Sequence, residues 1–506
     1  MLSKIHTAVC SGIEGRHVIV EADLSNGLPQ MHIVGLAGAT VMESKERIKS
    51  AIHHSGYEYP RKRVTINLTP AALHKSGTHL DLPIAVSMLS AMQYADPAEI
   101  DAFGMIGELS LDGTVTSVSG VLPMVMQLAR EGIRRIIVPK VNAPEAALVQ
   151  DAEIYGISCL QDCIEVINRP DARDWFRRTE TLGQMPVRRA KEDFADIRGQ
   201  ENAKRALVIA AAGSHGLLMI GNPGCGKTML ARRIPTILPE MTEEEILEDT
   251  IIYSVAGRLR QGEETLRERP FRMPHHTIGR AGLLGGGLYP VPGEITLAHN
   301  GVLFLDEVCE FNRDTIDALR IPMEDKRITH SRRGQNYTFP CNFQLVMASN
   351  PCKCGFYGDP ERECRCTQAE LVAYQRKLSG PLLDRIDLSI RMEKVPYQEI
   401  ADSRPAGASS EEMRQAVCRG QAFAAERGRL RPNALLSEKE VYRYCELGSG
   451  EERFMQRAYD RLHLSPRMYM KTLRVARTIA DLAEEERVTV AHLSEAISYR
   501  VNMEYA

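Results

Sequence analysis

Residues 221–228 read Gly-Asn-Pro-Gly-Cys-Gly-Lys-Thr, and this stretch decides the fold of the central part of the 506-residue chain. Its spacing is G-x-x-x-x-G-K-T, with an apolar strand pattern before it at 217–220 and helical periodicity after it at 228–237. Glycines let successive backbone N–H groups curl around a phosphate, and a helix N-terminus favours an anion. An ordinary glycine turn between strand and helix would not require the lysine and threonine that follow, so we predict a nucleotide-binding loop.

The predicted nucleotide contacts comprise this loop together with Met229 and Gln200. We expect Lys227 to reach the β and γ phosphates of ATP and the Thr228 hydroxyl to bind Mg²⁺. The other loop members of the set are Gly221, Asn222, Pro223, Gly224, Cys225 and Gly226.

An apolar strand at 302–305 ends in two acids, Asp306 and Glu307. Acids often end strands, but the upstream loop makes a role in ATP hydrolysis the stronger interpretation. Asp306 suits the Mg²⁺ shell, and Glu307 can orient and deprotonate the attacking water.

Composition and charge limit how this chain can contact nucleic acids and membranes. The chain is 43% hydrophobic and 25% charged with a net charge of −3, so contact with nucleic acid requires local basic patches. The N-terminus lacks the pattern of a signal peptide, and we find no apolar run of membrane-spanning length. We therefore expect a cytoplasmic protein without membrane contact, and reduced thiols for its twelve cysteines.

Four of those cysteines form two C-x-C pairs within fifteen positions, joined by a segment that contains glycine and proline. Such a cluster can converge on one tetrahedral thiolate site, which predicts a structural Zn²⁺. Buried thiols and an adventitious disulfide are the alternatives. The four residues are Cys352, Cys354, Cys364 and Cys366.

The patterns along the chain predict an α/β protein in four parts. Residues 1–168 alternate short apolar strands with helices, and 169–194 are polar and predict a linker docked through Trp175. Residues 195–396 predict a parallel-sheet core, and 397–506 predict a helical lid. Capping boxes at Ser409 with Glu412 and at Ser437 with Glu440 mark helix starts in the lid.

Several stretches resemble the AAA+ ATPases of the magnesium-chelatase-like group. Over nearly the whole chain the likeness is to the ComM/YifB family. The matching stretches are DIRGQ at 196–200, RPFRMPHHTIGRAGLLGGG at 269–287, PGEITLAHNGVLFLDE at 292–307, SNPC at 349–352 and SGPLLDRIDL at 379–388.

The resemblance implies roles for three further residues. Asn350 matches the first sensor, between the attacking water and the γ-phosphate. Arg385 matches the arginine finger, which acts in a neighbouring subunit's site, and Arg467 matches the second sensor in the lid. Without the family, a surface salt bridge would be the better interpretation of Arg467.

The resemblance also implies a hexameric ring that acts on single-stranded or branched DNA as a helicase promoting branch migration in transformation. In this branch of AAA+ proteins a hairpin after the two acids projects toward the central channel. After a helix predicted at 313–324, the pattern at 327–342 predicts that hairpin, with Arg332 and Arg333 at its tip as DNA contacts. A solvated hairpin with a basic tip is the alternative.

Residues 1–168 resemble the proteolytic domain of the Lon family, through 75–85 and 107–139. That chemistry needs a serine nucleophile and a lysine base. The two positions fall at Asp81 and near Leu122, so we expect an assembly or substrate-binding module without protease activity.

Three other functions compete with the DNA motor. They are a chelatase-type ATPase subunit, an ATP-dependent protease and a protein-remodelling chaperone. The missing dyad disfavours the protease. The Lon-like domain and the cysteines disfavour the chelatase, so we expect no tetrapyrrole partner.

Overall fold

The computed structural model describes residues 2–178, 192–259, 265–332, 334–397, 407–429 and 431–500. The chain forms two compact units. The first comprises Met1–Pro186, Glu243–Arg267 and Ser331–Thr338, and the second comprises Val187–Thr242, Glu268–His330 and Phe339–Ala506. Within the described ranges, every helix is too short or too polar to cross a lipid bilayer.

The first unit is built on a mixed sheet of eight strands among its described residues. The strands are β1 Leu2–Ser11, β2 Glu14–Ser25, β3 Met31–Val34, β4 Arg63–Thr69, β5 Phe103–Met105, β8 Arg135–Pro139, β9 Glu153–Ile157 and β10 Arg177–Arg178, with a small separate pair β6 Glu108–Leu109 and β7 Val115–Thr116. Their order in the sheet is β10-β9-β8-β5-β1-β2-β4-β3. The pairs β1–β2, β2–β4 and β9–β10 are antiparallel, and the others are parallel.

Helices cover this sheet, and the helix Asp81–Ala91 is buried along its whole length. A helix that is apolar all round needs packing on every side, which explains its place in the core. The other helices of the unit are Ala39–His54, Val121–Arg130, Ala143–Ala146, Leu160–Asn168, Arg173–Phe176 and Glu243–Val255.

The second unit contains a parallel sheet of five strands within the described ranges. These strands are β11 Leu217–Gly221, β12 Phe271–Arg272, β15 Val302–Leu305, β18 Gln344–Ser349 and β19 Leu388–Met392. Their order in the sheet is β12-β15-β18-β11-β19. The central strands are buried throughout, as expected for a parallel sheet covered on both faces. Two separate pairs are β13 Gly285–Gly286 with β14 Val291–Pro292, and β16 Arg327–Arg332 with β17 Gln335–Pro340, of which Ser331–Thr338 is counted with the first unit.

The helices of the second unit precede, connect and follow these strands. After β19, the described residues of 407–500 contain helices and no strand. Ser409 and Ser437 cap their helices in capping boxes with Glu412 and Glu440, as predicted. The helices are Glu201–Gly213, Lys227–Ile237, Arg280–Leu284, Glu294–Leu297, Arg313–Asp317, Arg320–Asp325, Gln368–Gln375, Gly380–Leu383, Ser410–Glu426, Glu438–Tyr444, Ser449–Arg461, Pro466–Leu482 and Val490–Ser498.

Three local expectations were wrong. Residues 173–178, assigned to the linker, form a short helix and the strand β10, and Trp175 is 76% exposed instead of docked. The single helix expected at 313–324 is split at Ala318 and Leu319. Pro322 has no N–H to bond back to the carbonyl of residue 318, which explains the break.

The candidate nucleotide site and the cysteine cluster

The strand order of the parallel sheet assembles the candidate nucleotide site. In that order β18 lies between β11 and β15, and all three strands run in the same direction. The phosphate loop follows β11, Asp306 and Glu307 follow β15, and Asn350 follows β18. Their functional groups therefore meet at the carboxyl edge of the sheet, where ligands of parallel α/β sheets bind.

Lys227 lies at the centre of this edge and is 8% exposed. Its Nζ donates to the carbonyl oxygens of Gly221 and Asn222, at 2.5 and 3.1 Å, and to Oδ1 of Asn350 at 3.2 Å. Gly224 and Gly226 have φ of +83° and +93°, a conformation that glycine adopts without strain. The loop therefore has the glycine conformations that a phosphate cradle needs, and Lys227 contacts Asn350 directly.

Thr228 and Asp306 bring two oxygen donors together beside the phosphate loop. The Thr228 hydroxyl donates to Oδ2 of Asp306 at 2.6 Å, although 78 residues separate them in the chain. Hydroxyl and carboxylate oxygens are the donors that Mg²⁺ prefers, so the pair fits the ion that accompanies a nucleotide triphosphate.

Glu307 is exposed and has the left-handed backbone conformation, with φ of +49° and ψ of +48°. Its N–H donates to Oδ1 of the neighbouring Asp306 at 3.0 Å. A non-glycine residue held in this conformation stores strain, which is common at catalytic positions. The exposed Glu307 thus follows directly on Asp306 after the end of β15.

Gln200 contacts the phosphate loop from outside. Its Nε2 donates to the carbonyl of Cys225 at 3.2 Å and to that of Glu393 at 2.5 Å. Pro223 and Gly224 are exposed, and Met229 is 43% exposed at the first turn of the helix after the loop. An exposed rim of this kind leaves the loop accessible to a nucleotide.

Arg385 and Arg467 converge on one carboxylate, that of Glu324. Oε1 of Glu324 lies 2.6 Å from Nη2 of Arg385 and 3.1 Å from Nη2 of Arg467. Burial opposes ionisation, but the two guanidinium groups hold the pKa of Glu324 below its ordinary value. The two arginines therefore lie side by side on one surface of the second unit.

The four predicted cysteines form one cluster, with all four sulfurs within 4.8 Å of one another. Three Sγ–Sγ distances are 3.3, 3.5 and 3.7 Å. Four thiolates around one Zn²⁺ at 2.3 Å would lie about 3.8 Å apart, close to this spacing. Slight burial disfavours the thiolate, but backbone N–H groups of Phe356 and Arg365 help to lower the pKa of Cys354 to about 6.

The predicted hairpin is present as the pair β16 and β17, with Gly334 in the turn at φ of +77°. Arg332 is exposed, and Nη1 donates to the carbonyl of Ser331 at 3.2 Å. Arg333, the other predicted DNA contact, lies outside the described residues.

In the first unit, Asp81 is the residue that the sequence analysis aligned with the protease nucleophile. Its carboxylate accepts from Nε and Nη2 of Arg47, at 2.8 and 3.2 Å, and Leu122 is buried. Lys75 is also buried, and its Nζ donates to the carbonyls of Gly35 and Pro70. These side chains are engaged in structural contacts.

Two residues of the site escaped sequence analysis. Glu324 gathers both arginines, and Asp359 contacts the phosphate loop through Asn222. Each is an acidic residue in an ordinary polar stretch, and only its contact with a residue far away in the sequence shows that it belongs to the site. For Asp359, its position between the two cysteine pairs was a sequence feature that could have indicated a structural role.

Three known protein families match successive parts of the chain. The family described as magnesium chelatase, subunit ChlI, matches residues 193–400. The family described as subunit ChlI of Mg-chelatase matches residues 20–142, and the corresponding C-terminal family matches 407–500.

Several relatives match nearly the whole length of this chain. The competence protein ComM of Haemophilus influenzae is 40% identical over 506 residues, which cover 99% of this chain and 97% of that protein. The protein YifB of Escherichia coli is 40% identical over 499 residues, with the same coverage. A shorter stretch of 143 residues is 29% identical to Lon protease 2 of Bacillus subtilis, covering 27% of this chain and 26% of that protein.

Proposed function

Because this chain belongs to the ComM/YifB family of magnesium-chelatase-like AAA+ ATPases, we propose that it works as an ATP-driven ring motor on DNA. The observation that carries the ATPase part is the convergence of Lys227, Asn350 and the Thr228–Asp306 pair at one sheet edge. The full-length similarity to a competence protein supports the DNA part.

Each residue of the site has a distinct task in this proposal. The loop 221–228, with Gln200 and Met229 at its rim, binds ATP, and Lys227 neutralises the β and γ phosphates. Thr228 and Asp306 hold Mg²⁺, whose bound charge stabilises the phosphate oxygens. Glu307 accepts the proton of the attacking water, and Asn350 orients that water.

Assembly into a hexameric ring completes the site in this proposal. Arg385 would enter the neighbouring subunit's site and stabilise charge on the transferred phosphoryl group. Arg467 and Arg385 pair with the same carboxylate oxygen of Glu324, and in this proposal the two arginines move together. The motor would act in the cytoplasm on single-stranded or branched DNA.

The hairpin 327–340 would grip the DNA through Arg332 and Arg333. Two arginines at the tip, repeated around a ring, form a positive collar although the subunit is net acidic. A forked DNA should therefore stimulate ATP turnover. The double variant Arg332→Ala with Arg333→Ala should keep basal turnover, bind DNA more weakly with a flatter salt dependence, and lose strand movement.

The matched control is Arg313→Ala, which removes an exposed arginine that pairs with Asp317 outside the hairpin. If no DNA tested changes the rate of ATP turnover by the wild type, the proposed DNA motor is refuted. If the double variant moves strands like the wild type, the hairpin is not the contact.

Zn²⁺ bound by the four cysteines is part of the same proposal. Four thiolates leave no open coordination position, so the ion would stabilise structure and take no part in hydrolysis. Protein purified under reducing conditions without chelator should carry about one zinc per chain, and Cys364→Ser should lose it. Zinc-free wild-type protein would refute the assignment.

The domain roles follow the predicted division into residues 1–168, 169–194, 195–396 and 397–506. The Lon-like first domain would serve assembly or substrate binding without proteolysis, because Asp81 pairs with Arg47 where a nucleophile is needed. Specific ATP-dependent cleavage of unfolded protein that disappears on changing Lys75 or Ser76 would refute this.

A chelatase-type ATPase subunit is the second candidate, and the descriptions of the three matching families favour it. Turnover stimulated by a porphyrin and indifferent to DNA would support that candidate. A protein-remodelling role would be supported instead by stimulation with unfolded protein alone.

A further inference from the structure

The cysteine cluster belongs to a loop that begins inside the candidate ATP site. Cys352 follows Asn350 by two residues, and Oδ1 of Asn350 accepts from Nζ of Lys227. Asn350 and Lys227 therefore link the start of this loop, which we call the cysteine loop (residues 351–366), to the phosphate loop.

The cysteine loop also contacts the phosphate loop further along. Nδ2 of Asn222 donates to Oδ2 of Asp359 at 2.5 Å. Gly355 packs against the ring of Pro223. A Cβ added to Gly355 would lie 2.7 Å from Cγ of the proline, so the contact leaves no room for a side chain. Asn222 and Pro223 are the two residues between the end of β11 and Gly224, so both contacts act on the entry of the phosphate loop.

Asp359 is itself held in position by the backbone of its own loop. Oδ1 accepts from the N–H groups of Glu361 and Arg362, at 2.8 and 3.0 Å, which leaves Oδ2 for Asn222. On the other side, the carbonyl of Gly358 accepts from Nη2 of Arg391 in β19, the strand beside β11. The cysteine loop therefore bridges the phosphate loop and the neighbouring strand.

We propose that the cysteine loop braces the phosphate loop, with Asp359 as the positioning residue, so that occupancy of the cysteine cluster by Zn²⁺ controls affinity for ATP. This inference rests on the ATP and zinc sites proposed above. An ion held by cysteines at both ends of the loop restricts the conformations of the segment 355–363. Asn222 and Pro223 are then held in the binding conformation before the nucleotide arrives, which lowers the entropy cost of binding.

The test measures two quantities on the full-length chain: zinc content by metal analysis, and the affinity for a fluorescent ATP analogue with Mg²⁺. Asp359→Ala removes the contact to Asn222 and leaves the four thiols in place. We expect it to retain zinc and to raise the Kd for the analogue about three- to tenfold, the range for one lost hydrogen bond of ordinary strength.

Glu361→Ala is the matched control, because its carboxylate lies on the same loop but pairs with the exposed Lys394. It should retain both zinc and wild-type affinity. Cys364→Ser should lose zinc and weaken binding of the analogue at least as much as Asp359→Ala. Adding Asp359→Ala to Asn222→Ala should cause little further loss, because both changes remove the same hydrogen bond.

Asp359→Ala protein that keeps its zinc and binds the analogue with wild-type affinity would overturn the bracing role. Should this variant not fold, Asn222→Ala protein that binds the analogue with wild-type affinity would overturn the bracing role from the other side of the contact. Zinc-free wild-type protein would refute the zinc assignment and its control over affinity. A wild type that binds no ATP analogue would refute the proposed ATPase itself.

Discussion

Replacing Arg385 by alanine should abolish hydrolysis in a chain that still binds ATP. In the structure its guanidinium pairs with Glu324 at 2.6 Å and donates to the carbonyl of Pro381 at 2.7 Å. Glu324 is 52% exposed and Arg385 is 15% exposed, and an ion pair with one solvent-screened partner contributes on the order of 1 kcal/mol. Glu324 therefore restrains Arg385 too weakly to prevent its transfer to a phosphate in a neighbouring subunit.

The loss of turnover should be large. Arginines that stabilise a transferring phosphoryl group accelerate the reaction by about 10³- to 10⁵-fold, and no other group would replace the missing charge. Steady-state phosphate release measures kcat, and titration with a fluorescent analogue measures binding. Arg376→Ala is the control, since Arg376 is an exposed arginine at the end of the helix Gln368–Gln375.

Mixing two inactive variants tests action between subunits. In a ring, each site would combine the phosphate loop of one subunit with Arg385 of the next. When Arg385→Ala and Lys227→Ala are mixed in equal amounts, about one quarter of the interfaces pair an intact loop with an intact arginine. Turnover should then recover to about a quarter of the wild-type value if sites act independently. Mixed rings that form but stay inactive, or near-normal turnover by Arg385→Ala alone, would refute the reasoning.

Three further predictions follow from the same structure. Glu307→Gln should bind ATP with wild-type affinity yet hydrolyse it at least about a hundredfold more slowly, because the amide cannot accept a proton from water; wild-type turnover would contradict this role. Asp387→Asn should lower the free energy of unfolding by about 3–5 kcal/mol in denaturant titrations, because the carboxylate of Asp387 lies 3.2 Å from Nζ of the buried Lys471 and 3.0 Å from Nδ1 of the buried His215. A loss below about 1 kcal/mol would show that these contacts are dispensable. In the first unit, burial raises the pKa of Glu145 from 4.5 to about 7, although a hydrogen bond from Asn142 opposes the rise. The folded state therefore binds the extra proton, and the free energy of unfolding should fall by roughly 3 kcal/mol as pH rises from below 4.5 to above 7. Glu145→Gln should remove that part of the pH dependence, and an unchanged pH profile would count against it.

Local patterns predicted much of the fold because they depend on backbone geometry over a few residues. The strand and helix around the loop 221–228, the strand Val302–Leu305 and two capping boxes occur where the sequence indicates them. The split near Ala318 could also have been anticipated from Pro322, because a proline inside a helical pattern removes a backbone donor. The strand β10 could not, since a two-residue strand exists only through its pairing with β9.

By itself, the sequence determined the chemistry available to this protein: a phosphate loop, two acids at a strand end, four clustered thiols and the arginines of its family. Only the tertiary structure decided which distant groups meet. Lys227 reaches Asn350 across 123 residues, Asn222 reaches Asp359 across 137, and Arg467 reaches Glu324 across 143. Spacing and periodicity reflect the geometry of a single strand, helix or turn, whereas these contacts arise from the order of parallel strands and the packing of helices and loops around them.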